Sequence, residues 1–577
     1  PRQTHFEGAR LNTDYRHILK MVPCIITTMN NKNDLTLCQR HFGQIHYLLD
    51  RNKFVPNKVD VVYLDAEDNI CVAARDLPAG HTLEIAGQHF SLQQDIRIGH
   101  KIAVVKIPND SPVFKYGQPI GITTEPVSPG QWVHIHNVRY DVPEGDYEKA
   151  TQHPPVPEPM TDRTFMGYRR ANGSVGTRNY IAILASVNCS ATVARYIARH
   201  FTDELLQEYS NIDGVVAFSH GEGCGMEFGG LRHEMLNRVM GGIARHPNIG
   251  GYLIVGLGCE QGTIGYLVES QNLVQIEGLA DSDDLENTTG QLAGPPTLSM
   301  QDHGGTVRTV ELGIEQVKKL LPLANAIERE EIPASEIVLG LECGGSDGNS
   351  GVTANPALGV ASDMLVACGG TAVLSEMPEV YGAEHLLTAR SRNEEVADKL
   401  IERIRWWEWY TDLFGESINN NPSMGNKEGG LTTITEKSLG AIAKGGSTVL
   451  EAVYEYAQPI KQRGFVLMDT PGFDPASVTG MVAGGANIVV FTTGRGSCYG
   501  CKPTPSIKVS TNTPMFERMK DDMDLDAGTI LAGRTLEEVG SDIFDEILAV
   551  ASGKKTRSEI HGMGEDEFVP WTVGAQL

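Results

Sequence analysis

The chain has 577 residues, too many for one compact core and enough for about three domains of ordinary size. Hydrophobic residues make up 41%, charged residues 21%, and there are 63 glycines, which is the composition of a globular α/β protein rich in tight turns and not of a disordered chain. A formal charge of -25 excludes a nucleic-acid surface and an anionic membrane as partners, since either calls for a basic face, but it leaves room for a small anionic substrate held by local cations.

The first 57 residues mix polar and apolar positions, and the short apolar stretch Met21–Thr28 is too brief for the core of a signal peptide, so this extension is given no role. No run of about 18 apolar residues occurs anywhere, and no membrane span is expected. From 58 to 140 the chain reads as short strands (VDVVYL, ICVAA, HTLEI, KIAVVKI, QPIGITT, QWVHIHNV) separated by Pro-Ala-Gly, Gly-His and Ser-Pro-Gly turns, which predicts a small all-β module. Residues 141–161 contain HPPVPEP, too proline-rich for helix or central strand, and form a linker. Beyond it the pattern becomes strand, glycine loop, helix. YIAILASV, GVVAFSH, GYLIVGLG, EIVLGLEC, TAVLSE, GFVLMD and NIVVFTTG are nearly continuous apolar runs, as strands of a mainly parallel sheet covered on both faces should be. Two α/β domains are predicted, 162–330 and 331–577, divided where EREEIPASE interrupts.

Ligands of parallel sheets collect at the carboxyl ends of strands, where loops and helix N-termini converge. Those ends carry thiols, an imidazole and acids: Cys189 in SVNCSAT, His220, Glu222 and Cys224 in SHGEGCG, Cys259 and Glu260 in GLGCE, Cys343 and Asp347 in LECGGSD. Thiolates and imidazole suit iron or zinc, so Cys189, Cys224, Cys259 and Cys343 are the expected metal ligands, set against the burial of Cys as a small inert side chain at tight turns. The ten cysteines are scattered, which predicts reduced thiols and a cytoplasmic protein. Cys498 and Cys501 form a CxxC with no second half, which reads as a chance pair of thiols. The loops GGSDGNSG (344–351) and TTGRGS (492–497) offer backbone N–H groups to carboxylate oxygens but match no nucleotide fingerprint, so no nucleotide is predicted. Arg495 is a candidate carboxylate clamp, weighed against a surface ion pair.

These segments also carry a resemblance. GHKIAVVKI, VFKYGQPIG, GYRRANGSVGTRNYIAILASVNCSATV, GLECGGSDGNSGVTANPALG, LSEMPEVYGAEHLL, NNNPSMGNKEGGLTTITEKSLGA, MDTPGFDPASVTGMVAGGAN and the terminal EFVPWTVGA resemble the altronate/galactarate dehydratase family over residues 58–577, with YGAEHLLT and EFVPW closest to the altronate branch. The resemblance implies an SAF-type β-clip module followed by α/β domains, and Fe²⁺-stimulated dehydration of D-altronate to 2-dehydro-3-deoxy-D-gluconate, with Mn²⁺ as the other candidate metal and a homo-oligomer as the default assembly. Galactarate dehydration and sulfolactate sulfo-lyase chemistry are the neighbouring expectations. Residue chemistry and family match together assign His220, Glu260 and Asp347 to acid–base work and Lys115, Tyr116, Arg178, Asn179 and Arg495 to substrate binding. One departure stands out: Asp65 in LDAEDN occupies a place where relatives commonly carry His, and Asp is a harder ligand and a weaker base.

Overall fold

The computed structural model describes residues 59–141, 147–274, 295–572, 574, 576 and 577. The extension 1–57 lies outside them, apart from the backbone of three short strands within 23–47. The β module folds as expected into short antiparallel strands. Val61–Val62, Ile70–Ala73, Lys101–Ala103 and Trp132–Val133 make one sheet, while Pro112–Lys115, Gln118–Thr123 and Val138–Arg139 make another. Residues 147–161 then run over the last domain without forming helix or strand, held by backbone bonds such as Ala150 N–H to Thr388 O and Met160 N–H to Ala367 O.

The middle sheet has four parallel strands, β1 (Tyr180–Ala185), β2 (Gly214–Phe218), β3 (Ile249–Gly256) and β4 (Thr297–Ser299), in the order β2-β1-β3-β4. Helix α1 (Ala191–His200) follows β1 and buries Val193, Ala194 and Ile197 against the sheet, at the i, i+1, i+4 spacing of one helix face. The EREEIPASE segment, expected to be an interruption, contains the strand Arg329–Pro333, which pairs antiparallel with Thr164–Arg169. The chain thereby returns to where the middle domain began before it enters the last one.

The last domain is built on seven parallel strands: β5 (Val338–Cys343), β6 (Thr371–Leu374), β7 (Leu450–Tyr454), β8 (Gly464–Met468), β9 (Ile488–Thr493), β10 (Ser506–Ser510) and β11 (Leu525–Asp526). Their order is β7-β8-β6-β5-β9-β10-β11, so the chain leaves β5 in one direction and later returns to its other side at β9. A crevice forms outside the carboxyl ends at such a reversal. The central strands are apolar on both faces and every residue of β6 and β9 is buried. At roughly 1.5–3 kcal/mol per fully buried Val, Leu, Ile or Phe, these runs form a rigid platform for whatever their ends carry. Three short helices complete the crevice: α2 (Met424–Glu428), α3 (Ile434–Ala441) and α4 (Asp474–Ala483). Asp474 and Pro475 open α4, where the helix dipole favours an acid and the fixed φ of proline costs nothing.

Candidate functional site

At the crevice of the seven-stranded sheet, four carboxylates and two ammonium groups meet, all buried except the partly exposed Asp474. Glu342 and Cys343 end β5, Glu376 and Glu379 follow β6, Asp474 starts α4, Lys437 lies on α3 and Lys444 follows it. Lys444 Nζ donates to Glu376 Oε2 at 2.8 Å, and both side chains are fully buried. Lys437 Nζ donates to Glu379 Oε1 at 2.5 Å and to Asn421 Oδ1 at 2.9 Å. Cys343 gives its backbone N–H to Glu376 Oε2 at 3.0 Å and its thiol to Glu379 Oε2 at 3.2 Å. Glu342 Oε2 accepts from Ser375 and Ser477, both at 2.8 Å.

Two oxygens are left over. Glu342 Oε1 and Glu376 Oε1 are buried and have no hydrogen-bond partner. An orphaned buried carboxylate oxygen costs about 1–3 kcal/mol or more, so two of them in one cluster call for a cation or a proton. Glu376 also has left-handed backbone, φ 62 and ψ 62, a conformation that costs a non-glycine residue about 1–3 kcal/mol and concentrates at functional sites. Among the described residues two groups of three metal-capable side chains have donor atoms all within 4.8 Å of one another: Cys343, Glu376, Glu379 and Glu342, Glu376, Asp474. The second group contains both residues that carry an orphaned oxygen and offers oxygen donors only, which suits a hard divalent cation, while the thiol of the first suits iron or zinc. With all six charged groups ionised, two negative charges remain, the complement of one divalent ion.

Titration follows the same arrangement. Burial, then the charge of Glu376, drives the Glu342 carboxyl well above the usual range. Burial, then Glu376 and Glu379, pushes Asp474 up to about 7. Burial also raises Glu379, but the ammonium groups of Lys437 and Lys444 overcome it and hold that carboxyl below the usual range. The cluster opens into a cavity of about 320 Å³ lined by Cys343, Glu379, Asn421, Lys427, Lys437 and Asp474.

The residues expected from sequence are divided between the two sheets. Cys343 belongs to the acidic cluster, whereas Cys189, Cys224 and Cys259 are exposed at the strand ends of the middle sheet, so the four thiols do not share one centre. His220 follows β2 and lines a second cavity, of about 420 Å³, with Asn188, Arg195 and Ser219 on one side and Phe568 and Pro570 on the other. Its Nδ1 accepts from Glu222 N–H at 3.2 Å, its Nε2 has no hydrogen-bond partner, and burial lowers its pKa to about 4. Glu260 has both oxygens engaged, by Ser186 Oγ at 3.0 Å and Gly258 N–H at 2.6 Å, and fixes the turn after β3.

Asp347 is buried and ties its glycine loop together, accepting from Asn349 N–H, Ser350 Oγ, Thr511 Oγ1 and Asn512 Nδ2. Arg495 is half-exposed and pairs with Glu428 at 3.2 Å. Arg178 and Asn179 precede β1 and so sit at the amino end of the middle sheet, away from the strand-end loops. The Arg178 guanidinium is spent on both Glu559 oxygens and the carbonyls of Thr177, Val550 and Lys554, and Asn179 is bonded to Asn211, Ala324 and Arg170. Lys115 and Tyr116 lie where the β module meets the last domain, with Lys115 fully buried against Glu436 at 2.8 Å. Asp65 caps its own turn through Glu67 N–H at 2.9 Å.

Sequence reasoning passed over Glu342, Glu376, Glu379, Asp474, Lys437 and Lys444. The available signal was acids at the end of an apolar strand or in the loop that follows it, in LGLEC, VLSEMPE and LMDTPGFD.

Three family models cover the described chain: the altronate/galactarate dehydratase SAF domain at 59–141, the D-galactarate dehydratase/altronate hydrolase second domain at 167–325, and the D-galactarate/altronate dehydratase C-terminal domain at 334–576. The chain is 36% identical over 499 residues to altronate dehydratase of Escherichia coli (strain K12), covering 86% of this chain and 96% of that one. It is 39% identical over 496 residues to galactarate dehydratase (L-threo-forming) of the same organism, covering 85% and 92%. It is 30% identical over 414 residues to (2R)-sulfolactate sulfo-lyase subunit beta of Chromohalobacter salexigens, covering 71% and 97%. Full-length similarity to two dehydratases, on a fold whose crevice gathers metal-capable acids, places the chain in the D-galactarate/altronate dehydratase family as a hydro-lyase, an enzyme that breaks a carbon–oxygen bond.

Proposed function

We propose that this sugar-acid dehydratase acts on D-altronate, releasing water and 2-dehydro-3-deoxy-D-gluconate, and that the acidic cluster of the seven-stranded sheet is its reaction site. The observation that carries the reading is the pair of buried, unpartnered oxygens Glu342 Oε1 and Glu376 Oε1. Glu342, Glu376 and Asp474 would hold the divalent metal, Fe²⁺ by family resemblance and Mn²⁺ as the substitute, with Cys343 and Glu379 beside it. A cation bound there supplies Lewis acidity toward the substrate carboxylate and hydroxyl. Glu379, kept ionised by Lys437 and Lys444, lines the cavity and takes the proton from C2. Lys437 spends two donors on Glu379 and Asn421, and its remaining N–H protonates the C3 hydroxyl as the C3–O bond breaks, so that it leaves as water. Lys427 and Asn421 on the same wall bind the carboxylate. The enol that results tautomerises to the 2-keto acid. Reduced thiols fit a cytoplasmic setting, and no described helix is long and apolar enough to cross a membrane.

The test is anaerobic keto-acid formation from D-altronate and galactarate after chelation, with Fe²⁺, Mn²⁺ or Mg²⁺ restored. Fe²⁺-dependent turnover of altronate supports the reading. Preference for galactarate, in line with the 39% identity to that dehydratase, replaces the substrate but keeps the site. Sulfite release from sulfolactate with no keto acid from either sugar acid overturns the assignment of substrate. A second location for the reaction, the larger cavity at His220, is favoured by its unpartnered Nε2 and is separated from the first by comparing His220→Gln with Glu376→Gln.

A further inference from the structure

We infer that Lys101 and Lys115 of the β module are positioning residues for the acidic site, locking from behind the two loops that form its walls; the inference rests on reading that cluster as the metal site. Neither lysine reaches the cavity. Lys101 Nζ donates to Gly430 O at 2.6 Å and Glu436 Oε2 at 2.8 Å, and Lys115 Nζ donates to Glu436 Oε1 at 2.8 Å and Gly348 O at 3.3 Å. All three charged side chains are fully buried.

What they hold decides their role. Gly348 belongs to the loop that begins at Cys343 and Gly344, and Gly430 follows α2, whose Asn426 and Lys427 line the cavity. Asn426 Nδ2 ties the second loop to the first through Ser346 O at 2.9 Å, and Gly348 N–H bonds Gly429 O at 2.8 Å. Glu436 is followed by Lys437, the residue that holds Glu379. Adjacent positions of α3 thus reach different partners, Glu436 the β module and Lys437 the acids. His100 Nε2 lies 3.1 Å from Glu428 O at the end of α2. The backbones approach closely here: a Cβ on Gly348 or on Gly430 (φ +105) would collide with Gly99 O. Two cations on one buried carboxylate, each also fixing a loop carbonyl, form a clamp whose loss lets both loops shift relative to β5.

The experiment uses the full chain. Mn²⁺ affinity is measured by calorimetry under nitrogen, and kcat and KM for D-altronate are measured on the same preparations, for wild type, Lys115→Met, the triple variant Lys101→Met/Lys115→Met/Glu436→Gln, which leaves no unpaired charge in the clamp, and the control Asp60→Asn. Asp60 bonds Arg75 and His81 within the β module and touches neither loop. The clamp variants should weaken Mn²⁺ binding and lower kcat by about tenfold or more, with KM changing less than about threefold, as outer-shell partners of metal sites do. Asp60→Asn should lower Tm and leave Mn²⁺ affinity unchanged. A folded Lys115→Met or triple variant with wild-type Mn²⁺ affinity and kcat overturns the positioning role. So does failure of both to fold, which makes the lysines part of the architecture alone. Wild-type protein that binds no Mn²⁺ overturns the metal reading as well, so the two failures are distinguishable.

Discussion

The two parallel sheets of this chain carry chemically active residues at the same topological place and treat them in opposite ways. At the middle sheet Cys189, Cys224 and Cys259 face solvent, and Glu260 is consumed by hydrogen bonds. At the seven-stranded sheet three carboxylates, a thiol and two ammonium groups are withdrawn from water beside a partly exposed fourth carboxylate, and two oxygens remain unsatisfied. Residue type and strand-end position mark both sheets equally. Two unpartnered carboxylate oxygens in one buried cluster distinguish the second, because there the fold has accepted a cost that a bound ion can relieve, whereas the unpartnered atom buried at the middle sheet, His220 Nε2, belongs to a ring kept neutral by burial.

The largest effect expected from this contrast follows Glu376→Gln. It removes the carboxylate common to both metal-capable groups, so Mn²⁺ binding should vanish in calorimetry and kcat/KM should fall at least about 100-fold, the equivalent of several kcal/mol of transition-state stabilisation. Lys437→Met comes next. It leaves the carboxylates in place but unpairs Glu379 and removes the donor facing the leaving hydroxyl, so kcat should fall on the order of 10–100-fold while Mn²⁺ still binds. His220→Gln is a smaller change and the one that weighs the second cavity. If the acidic cluster is the reaction site, kcat should stay within about threefold of wild type, and a loss like that of Glu376→Gln would move the chemistry to the middle sheet.

The same substitution has a stability signature. His220 has a folded pKa of about 4, held down by burial, against an ordinary value near 6.5. The unfolded chain therefore takes up the proton first, and the stability this neutral ring contributes is complete above about pH 6.5 and lost as pH falls toward 4. Denaturant midpoints measured from pH 7 to pH 4 should fall less steeply in His220→Gln than in wild type. The smallest effect belongs to the exposed thiols: a Cys189→Ser/Cys224→Ser/Cys259→Ser variant should keep metal affinity and kcat within about twofold, since exposed side chains outside a site rarely matter.

How much of this was legible in the sequence depended on the range of the interactions. Apolar runs such as YIAILA and IVVFTT announce buried parallel strands from local pattern alone, and the proline-rich linker and the β module are equally local. Leu450–Tyr454 and Ser506–Ser510 were missed because Glu451, Ser506, Lys508 and Ser510 break the apolar pattern, yet the second of these strands is wholly buried, with Lys508 donating to Tyr499 O at 3.1 Å. The acidic cluster was hidden for a related reason. Glu342, Glu376 and Asp474 are far apart in the chain, and an acid after a strand reads as solvated until the topology shows what covers it. Arg178 shows the converse: a conspicuous cation in a family motif proves to be fully committed to Glu559 and three carbonyls.

Anomalous diffraction from crystals of the protein grown with Mn²⁺ locates the metal. A metal held by the acidic cluster gives a peak at about 2.0–2.6 Å from carboxylate oxygens of Glu342, Glu376 and Asp474, with Cys343 and Glu379 beside it. A peak bounded by Cys189, Cys224 or Cys259 instead, or none at the acidic cluster in an enzyme whose turnover requires the metal, would contradict that location.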